Sequence, residues 1–92
     1  MAPIHPGRIL RRELQARQLS ANALARALRV PSGRIVDILN GKRSITAETA
    51  LRLGRYFGNG PQFWMNLQAH YDLAIAMRDV GPLVAREVET AA

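Results

Sequence analysis

Between Ser20 and Arg43 the chain carries side chains suited to reading base-pair edges rather than to breaking bonds. Arg34 can pair with guanine or a phosphate, Asn40 can pair with adenine, and Val36 can meet a thymine methyl. Asp37 has two uses: it can accept from cytosine N4, or pair with Arg34 or Lys42. Gly33 has no side chain and would let the backbone come close to DNA. Lys42 and Arg43 follow at the level of the phosphates. Ser20, Asn22 and Ser32 complete the candidate DNA-binding set.

These residues need a frame that points them outward. Ser20 to Asn40 has the dimensions of two short helices joined by a turn, a helix-turn-helix. The first holds Leu24, Ala25 and Leu28 on one face, with small Ala25 where the helices cross. Pro31 pushes Val30 toward extended geometry and ends the turn. In the second helix, Ile35, Ile38 and Leu39 cluster on one side at about 100° per residue. Gly33, Val36, Asp37 and Asn40 then face away, with Ser32 and Arg34 at the margins, the side a recognition helix presents to the major groove. Ser20 and Ser32 are placed to cap the two helices.

The flanking segments also read as helices. Pro6 opens one with Ile9, Leu10 and Leu14 inward. Thr46 caps another, with Glu48 in its first turn and Ala50, Leu53, Gly54 and Phe57 as the inner stripe. Pro61 opens the longest, to about Arg78, and Gly81-Pro82 should end it. No strand pattern competes, so the expected fold is an all-α, compact five-helix bundle. Its expected organisation is a helix-turn-helix domain with a C-terminal dimerisation helix over residues 1–80, then a short tail over 81–92.

Other chemistry fails on residue type or spacing. The chain has no Cys, and its two His, His5 and His70, are far apart, so a metal site is not expected. Gly41-Lys42 resembles a P-loop ending, but the earlier Gly falls on Val36 and the Ser/Thr position is Arg43. Asp37 and Glu48 lack partners for acid–base work. The expectation is no enzyme and no cofactor. No apolar run nears the roughly 18 residues that would span a bilayer. Met1 to Gly7 lacks the features of a signal peptide. A cytoplasmic protein is expected, nucleoid-associated when on DNA.

Charge supports the DNA reading. The 92 residues carry a net +6. Residues 1–45 hold nine basic side chains against Glu13 and Asp37, a net +7, while residues 46–92 total −1. A basic half beside a near-neutral half suggests a polyanion partner for the first. Arg11, Arg12 and Arg17 are either solvated helix charges or phosphate contacts.

Three separated motifs carry a family resemblance: His5-Pro6-Gly7-Arg8-Ile9-Leu10, Asn40-Gly41-Lys42-Arg43-Ser44-Ile45-Thr46, and Phe63-Trp64-Met65-Asn66-Leu67-Gln68-Ala69-His70-Tyr71-Asp72-Leu73. Over residues 4–75 the chain resembles the HigA antitoxins, also called virulence-associated protein I or plasmid-maintenance antidote proteins, with a phage-repressor-type (XRE) helix-turn-helix. The resemblance implies a homodimeric repressor of its own palindromic operator. It also implies a partner, a HigB toxin similar to RelE, a messenger ribonuclease. The alternative is a stand-alone XRE-type regulator without a toxin. Arg29 stands where many relatives have Gly; a left-handed residue there would cost about 1 kcal/mol.

The last helix is apolar beyond what one small core needs. Phe63, Trp64 and Leu67 are expected to pack inward, and Asn66 and Gln68 to cap or bridge. The excess from Leu73 to Met77 implies a second buried face, with Leu73, Ala74, Ile75 and Met77 as candidate dimer contacts.

Overall fold

A computed structural model of the chain describes residues 2–91. It holds α1 (Pro6–Arg17), α2 (Ala21–Leu28), α3 (Ser32–Leu39), α4 (Ala47–Phe57) and α5 (Pro61–Glu87), with no strand among the described residues. The all-α reading is therefore correct. Leu10, Leu14, Leu24, Ala25, Leu28, Ile35, Ile38, Ile45, Ala50, Leu53 and Trp64 form one buried core. These are the inward positions that helical spacing selects in each element.

Side-chain caps start three of the helices. Ser20 Oγ accepts from the Ala23 N–H at 3.0 Å, and Thr46 Oγ1 accepts from Thr49 at 3.4 Å. His5 performs the same task for α1, its Nδ1 accepting from the Gly7 N–H at 2.9 Å. The cap expected from Ser32 is not made. Pro31 holds the extended cap position, and Ser32 is already the first helical residue. A residue inside the helix has no free N–H of the first turn in reach of its side chain in the way a cap residue has.

Arg29 is left-handed, with φ 61°, as is Gln18 at the end of α1, with φ 52°. Each ends its helix by the same device. The Val30 N–H donates to the Ala25 carbonyl at 3.0 Å and the Leu19 N–H to the Leu14 carbonyl at 2.9 Å, a Schellman closure. Leu19 and Val30 pack against the core, the apolar contact that accompanies such closures.

Helix α5 departs most from expectation. It does not stop at Gly81-Pro82 but continues to Glu87, with Pro82 inside it. The boundary placed after residue 80 thus falls within a continuous helix, and residues 81–87 are helical rather than tail; Ala92 lies outside the described residues. Pro82 cannot donate to the Arg78 carbonyl, but this stretch is largely exposed and water can serve that oxygen. Only Trp64 and Gln68 of its 27 residues are buried. Its C-terminal part projects from the bundle, giving extents of 49 × 22 × 22 Å.

Two glycines are required by close approach. A Cβ on Gly7 would collide with the Ile38 carbonyl, and one on Gly54 with the Gly60 carbonyl and the Pro61 nitrogen. These neighbours are backbone and cannot swing away. Gly54→Ala is expected to destabilise the fold by about 1–3 kcal/mol in urea unfolding. Gly33→Ala, with nothing within 4 Å of the new methyl, should be neutral or stabilising by up to about 1 kcal/mol. Equal stability of the two variants would contradict the close packing at the α4–α5 corner.

Candidate nucleic-acid interface

The buried side of α3 is Ile35 and Ile38, both fully inaccessible. That fixes the opposite side toward solvent. Ser32, Gly33, Val36 and Asn40 are exposed, and Arg34 and Asp37 are half-buried at its edges. Val36, an apolar side chain, is 39% exposed, which is what a thymine contact needs. Open space over Gly33 leaves its backbone approachable.

The charged members are held loosely. Arg34 Nη1 lies 4.0 Å from Glu48 Oε1, and Glu48 is shared with Arg52 at 3.0 Å. Such an exposed pair contributes at most about 1 kcal/mol, so a phosphate or guanine can displace it. Asp37 pairs with neither Arg34 nor Lys42; its neighbour is Arg43, at 3.9 Å. The reason is local. The Lys42 N–H donates to the Asp37 backbone carbonyl at 2.8 Å, and Asp37 Oδ2 is left facing the Arg43 guanidinium. Lys42, Arg43, Ser20 and Asn22 are all exposed, with Ser20 Oγ occupied as a cap.

Arg11 joins this surface, and spacing within α1 gave no sign of where it would reach. Its Nη2 donates to the Leu39 carbonyl at 3.3 Å and to Asn40 Oδ1 at 3.4 Å. Arg11 thus satisfies the open C-terminal end of α3 and sits beside the residue suited to adenine. Both bonds are long and exposed, so Asn40 remains free to exchange Arg11 for a base.

The loop bearing Lys42 and Arg43 is braced from two sides. Ile45 N–H donates to the buried Gln68 Oε1 at 2.7 Å, and Gln68 Nε2 donates to Asp72 at 2.9 Å. This makes Gln68 the bridging group its position suggested; Asn66 instead accepts from Gln62 on its own helix at 2.8 Å. On the other side is the His5 ring, edge-on to Tyr71 at 4.9 Å. Trp64 lies in the core with Nε1 donating to Asn59 at 3.0 Å, and Leu67 packs against that core. Phe63 does not pack inward as expected: it is 41% exposed, its ring edge-on to Trp64. Trp64 is its neighbour in sequence, and only one of two adjacent helical positions can point straight at the core.

The apolar excess on α5 is also visible. Leu73 and Met77 are more than 60% exposed, while Ala74 and Ile75 are half-buried. Ala74 faces a cavity shared with Pro3, Ile4 and Ile9 of its own chain. The structure adds Val80 and Val84, which continue Leu73 and Met77 at alternating spacings of four and three residues. Periodicity would have found them had Gly81-Pro82 not been taken as a stop.

Two short helices at a Schellman corner, with an outward polar and cationic face on the second, define a helix-turn-helix protein of the phage-repressor type. The helix-turn-helix family model matches residues 10–64. Virulence-associated protein I of Dichelobacter nodosus is 55% identical over 80 residues, covering 86% of this chain and 74% of that protein. An addiction-module antidote protein of the HigA family from Coxiella burnetii superimposes with TM-score 0.94 at 50% identity, covering 98% of this chain and 99% of the other. The Pseudomonas aeruginosa antitoxin HigA, solved with the higBA promoter, gives TM-score 0.94 at 48% identity with the same coverage. The chain belongs to the HigA family.

His5 makes this surface sensitive to pH. Burial pushes its imidazole below the usual 6.5, against the opposing pull of the Asp72 carboxylate and the Arg43 backbone carbonyl. The folded state therefore disfavours protonation relative to the unfolded state. Its contribution to stability is complete above the unfolded value and is lost as pH falls through the lower folded one. The Tm should drop between pH 7.5 and 5.5. In His5→Asn, whose amide oxygen can still cap α1, the drop should be smaller. An equal drop in both would refute the assignment.

Proposed function

We propose that the protein is the antitoxin of a type II toxin–antitoxin module and represses its own operon by binding a palindromic operator. The carrying observation is the outward face of α3, where Gly33, Val36 and Asn40 are exposed and Arg34 is held only by a long ion pair, beside exposed Lys42 and Arg43. Support comes from the likeness to an antitoxin HigA solved with its promoter. In this reading Arg34, Val36 and Asn40 meet base edges, with Asp37 set beside them for cytosine N4. Ser20, Asn22, Ser32, Lys42 and Arg43 meet the backbone, with Arg11 beside them. The protein acts in the cytoplasm, on the nucleoid when at its operator. Among the described residues no helix is long and apolar enough to cross a membrane.

The working unit in this reading is a homodimer joined through the exposed stripe of α5, with Leu73 and Met77 central and Ala74 and Ile75 at its margin. A two-fold axis would place two recognition helices about 34 Å apart, one turn of DNA. Sedimentation at micromolar concentration should show a dimer, and Met77→Asp should shift it toward monomer. A monomeric wild type would end the dimer reading.

The DNA reading is tested by gel shift on the sequence upstream of the gene. Affinity should fall with salt at a log–log slope of about −0.9 per phosphate neutralised. Arg34→Ala should cost about 1–3 kcal/mol and relax preference at one base position. Uniform loss over all sequences would make Arg34 a phosphate contact. No binding to the upstream DNA would overturn the repressor reading.

The toxin partner in this reading is a HigB-like, RelE-related messenger ribonuclease. Co-expression with the neighbouring reading frame, followed by co-purification, tests it. If a RelE-like product is encoded there and is not retained, a stand-alone regulator of the same fold replaces the antitoxin.

A further inference from the structure

One surface lies outside both the α3 face and the α5 stripe. The C-terminal end of α2 and the outer side of α4 form an open groove of about 370 Å³. Ala27, Arg29, Leu51, Arg52, Arg55 and Tyr56 line it. Leu51 is 59% exposed and Tyr56 43% exposed, large apolar groups that the fold leaves in water.

The charges around them are not equivalent. Arg52 is already engaged: it donates to the Leu28 carbonyl at 2.9 Å and to Glu48 at 3.0 Å. Arg29 and Arg55 are exposed and have no carboxylate partner among the described residues. The left-handed conformation at Arg29 holds one of these guanidinium groups at the groove even though a glycine would be less strained. Arginine with tyrosine and an aliphatic side chain, and no lysine, is the composition of protein–protein contact centres. A nucleic-acid backbone fits less well, because the lining is mainly apolar and Leu51 and Tyr56 would gain nothing from a phosphate.

We propose that this α2–α4 groove docks a protein partner through one large apolar side chain flanked by carboxylates. The apolar group covers Leu51 and Tyr56, and the carboxylates meet Arg29 and Arg55 as charge-assisted, bidentate pairs. The proposal rests on the toxin-partner reading above and names where that partner is held. No residue assigned to DNA or to the α5 stripe lines the groove, so a docked partner leaves both surfaces open.

The test uses the full chain, co-expressed with the protein encoded by the neighbouring reading frame, with affinity measured by titration calorimetry. Leu51→Asp and Arg55→Glu should each weaken binding of that protein at least about tenfold. Both sites are exposed, so the thermal melt and the upstream-DNA gel shift should match the wild type. Charge reversal also gives an internal check: Arg55→Glu should lose more affinity than Arg55→Gln. If the wild type binds the neighbouring protein and both variants bind it equally well, the groove proposal is overturned and the antitoxin reading stands. If the wild type does not bind that protein, both fall. If Arg55→Glu weakens the gel shift as strongly as partner binding, the groove is a DNA contact and the proposal is overturned.

Discussion

The hydrogen bond from the Ile45 N–H to Gln68 Oε1 joins the cationic loop after α3 to helix α5. Ile45 is buried in the connection between α3 and α4, where no helix offers its N–H a partner. Leaving such a donor unpaired costs about 1–3 kcal/mol. Gln68 supplies the acceptor from two turns inside α5, and its amide nitrogen is held in turn by Asp72. One side of this clasp ends at Lys42 and Arg43. The other begins the part of α5 that leaves the bundle. The orientation of the cationic loop relative to the apolar stripe is therefore set by a buried amide rather than by surface contacts. Trp64, fully buried one turn earlier, keeps α5 from rotating about its axis and so keeps Gln68 in register.

Polar and apolar work are divided along the chain. The first half folds two eight-residue helices, too short to be stable alone, around Leu24, Ile35 and Ile38. Burying those three, with Leu39 against the same core, leaves Ser32, Gly33 and Val36 of α3 facing solvent. The second half does the reverse. Helix α5 spends two turns anchoring the bundle and then exposes Leu73, Met77, Val80 and Val84. Their spacings of four, three and four residues keep close to the 3.6-residue turn of a straight helix, so the four side chains share one face. A chain of this size has too little core to cover such a face itself. The same small core therefore leaves this face of α5 in water.

Helical spacing reported burial within each element well. Leu24, Ala25, Leu28, Ile35, Ile38, Ala50 and Leu53 are all where a 100° turn per residue puts them. Ser20 and Thr46 were legible as caps because Ser and Thr commonly fill that role. His5 is not legible in this way, because imidazole is an unusual cap. Ser32 makes no cap because the cap position falls on Pro31 and Ser32 is already helical. Long-range partners left no periodic trace: Arg11 reaches Asn40 across 29 positions, and Gln68 reaches Ile45 across 23. The α5 extension was hidden by a local rule. Pro82 costs α5 one hydrogen bond, but the freed Arg78 carbonyl is exposed to water and the helix continues to Glu87.

The turn between α2 and α3 shows how a local strain acquires a use. A non-glycine residue at φ 61° is disfavoured by about 1–2 kcal/mol. The closure recovers part of this through the Val30-to-Ala25 bond and the apolar contact of Val30 with the core. Arg52 adds a second restraint by binding the Leu28 carbonyl. The corner angle, and with it the exposed face of α3, is thus held by three contacts that do not need the Arg29 side chain. That side chain is free to serve elsewhere, and it lies at the rim of the groove with Arg55. Glycine at this position would relieve the backbone and keep the corner, but would remove one of the two unpaired charges from that rim. Under the groove proposal that charge has a use, since it would meet a carboxylate of the docked partner.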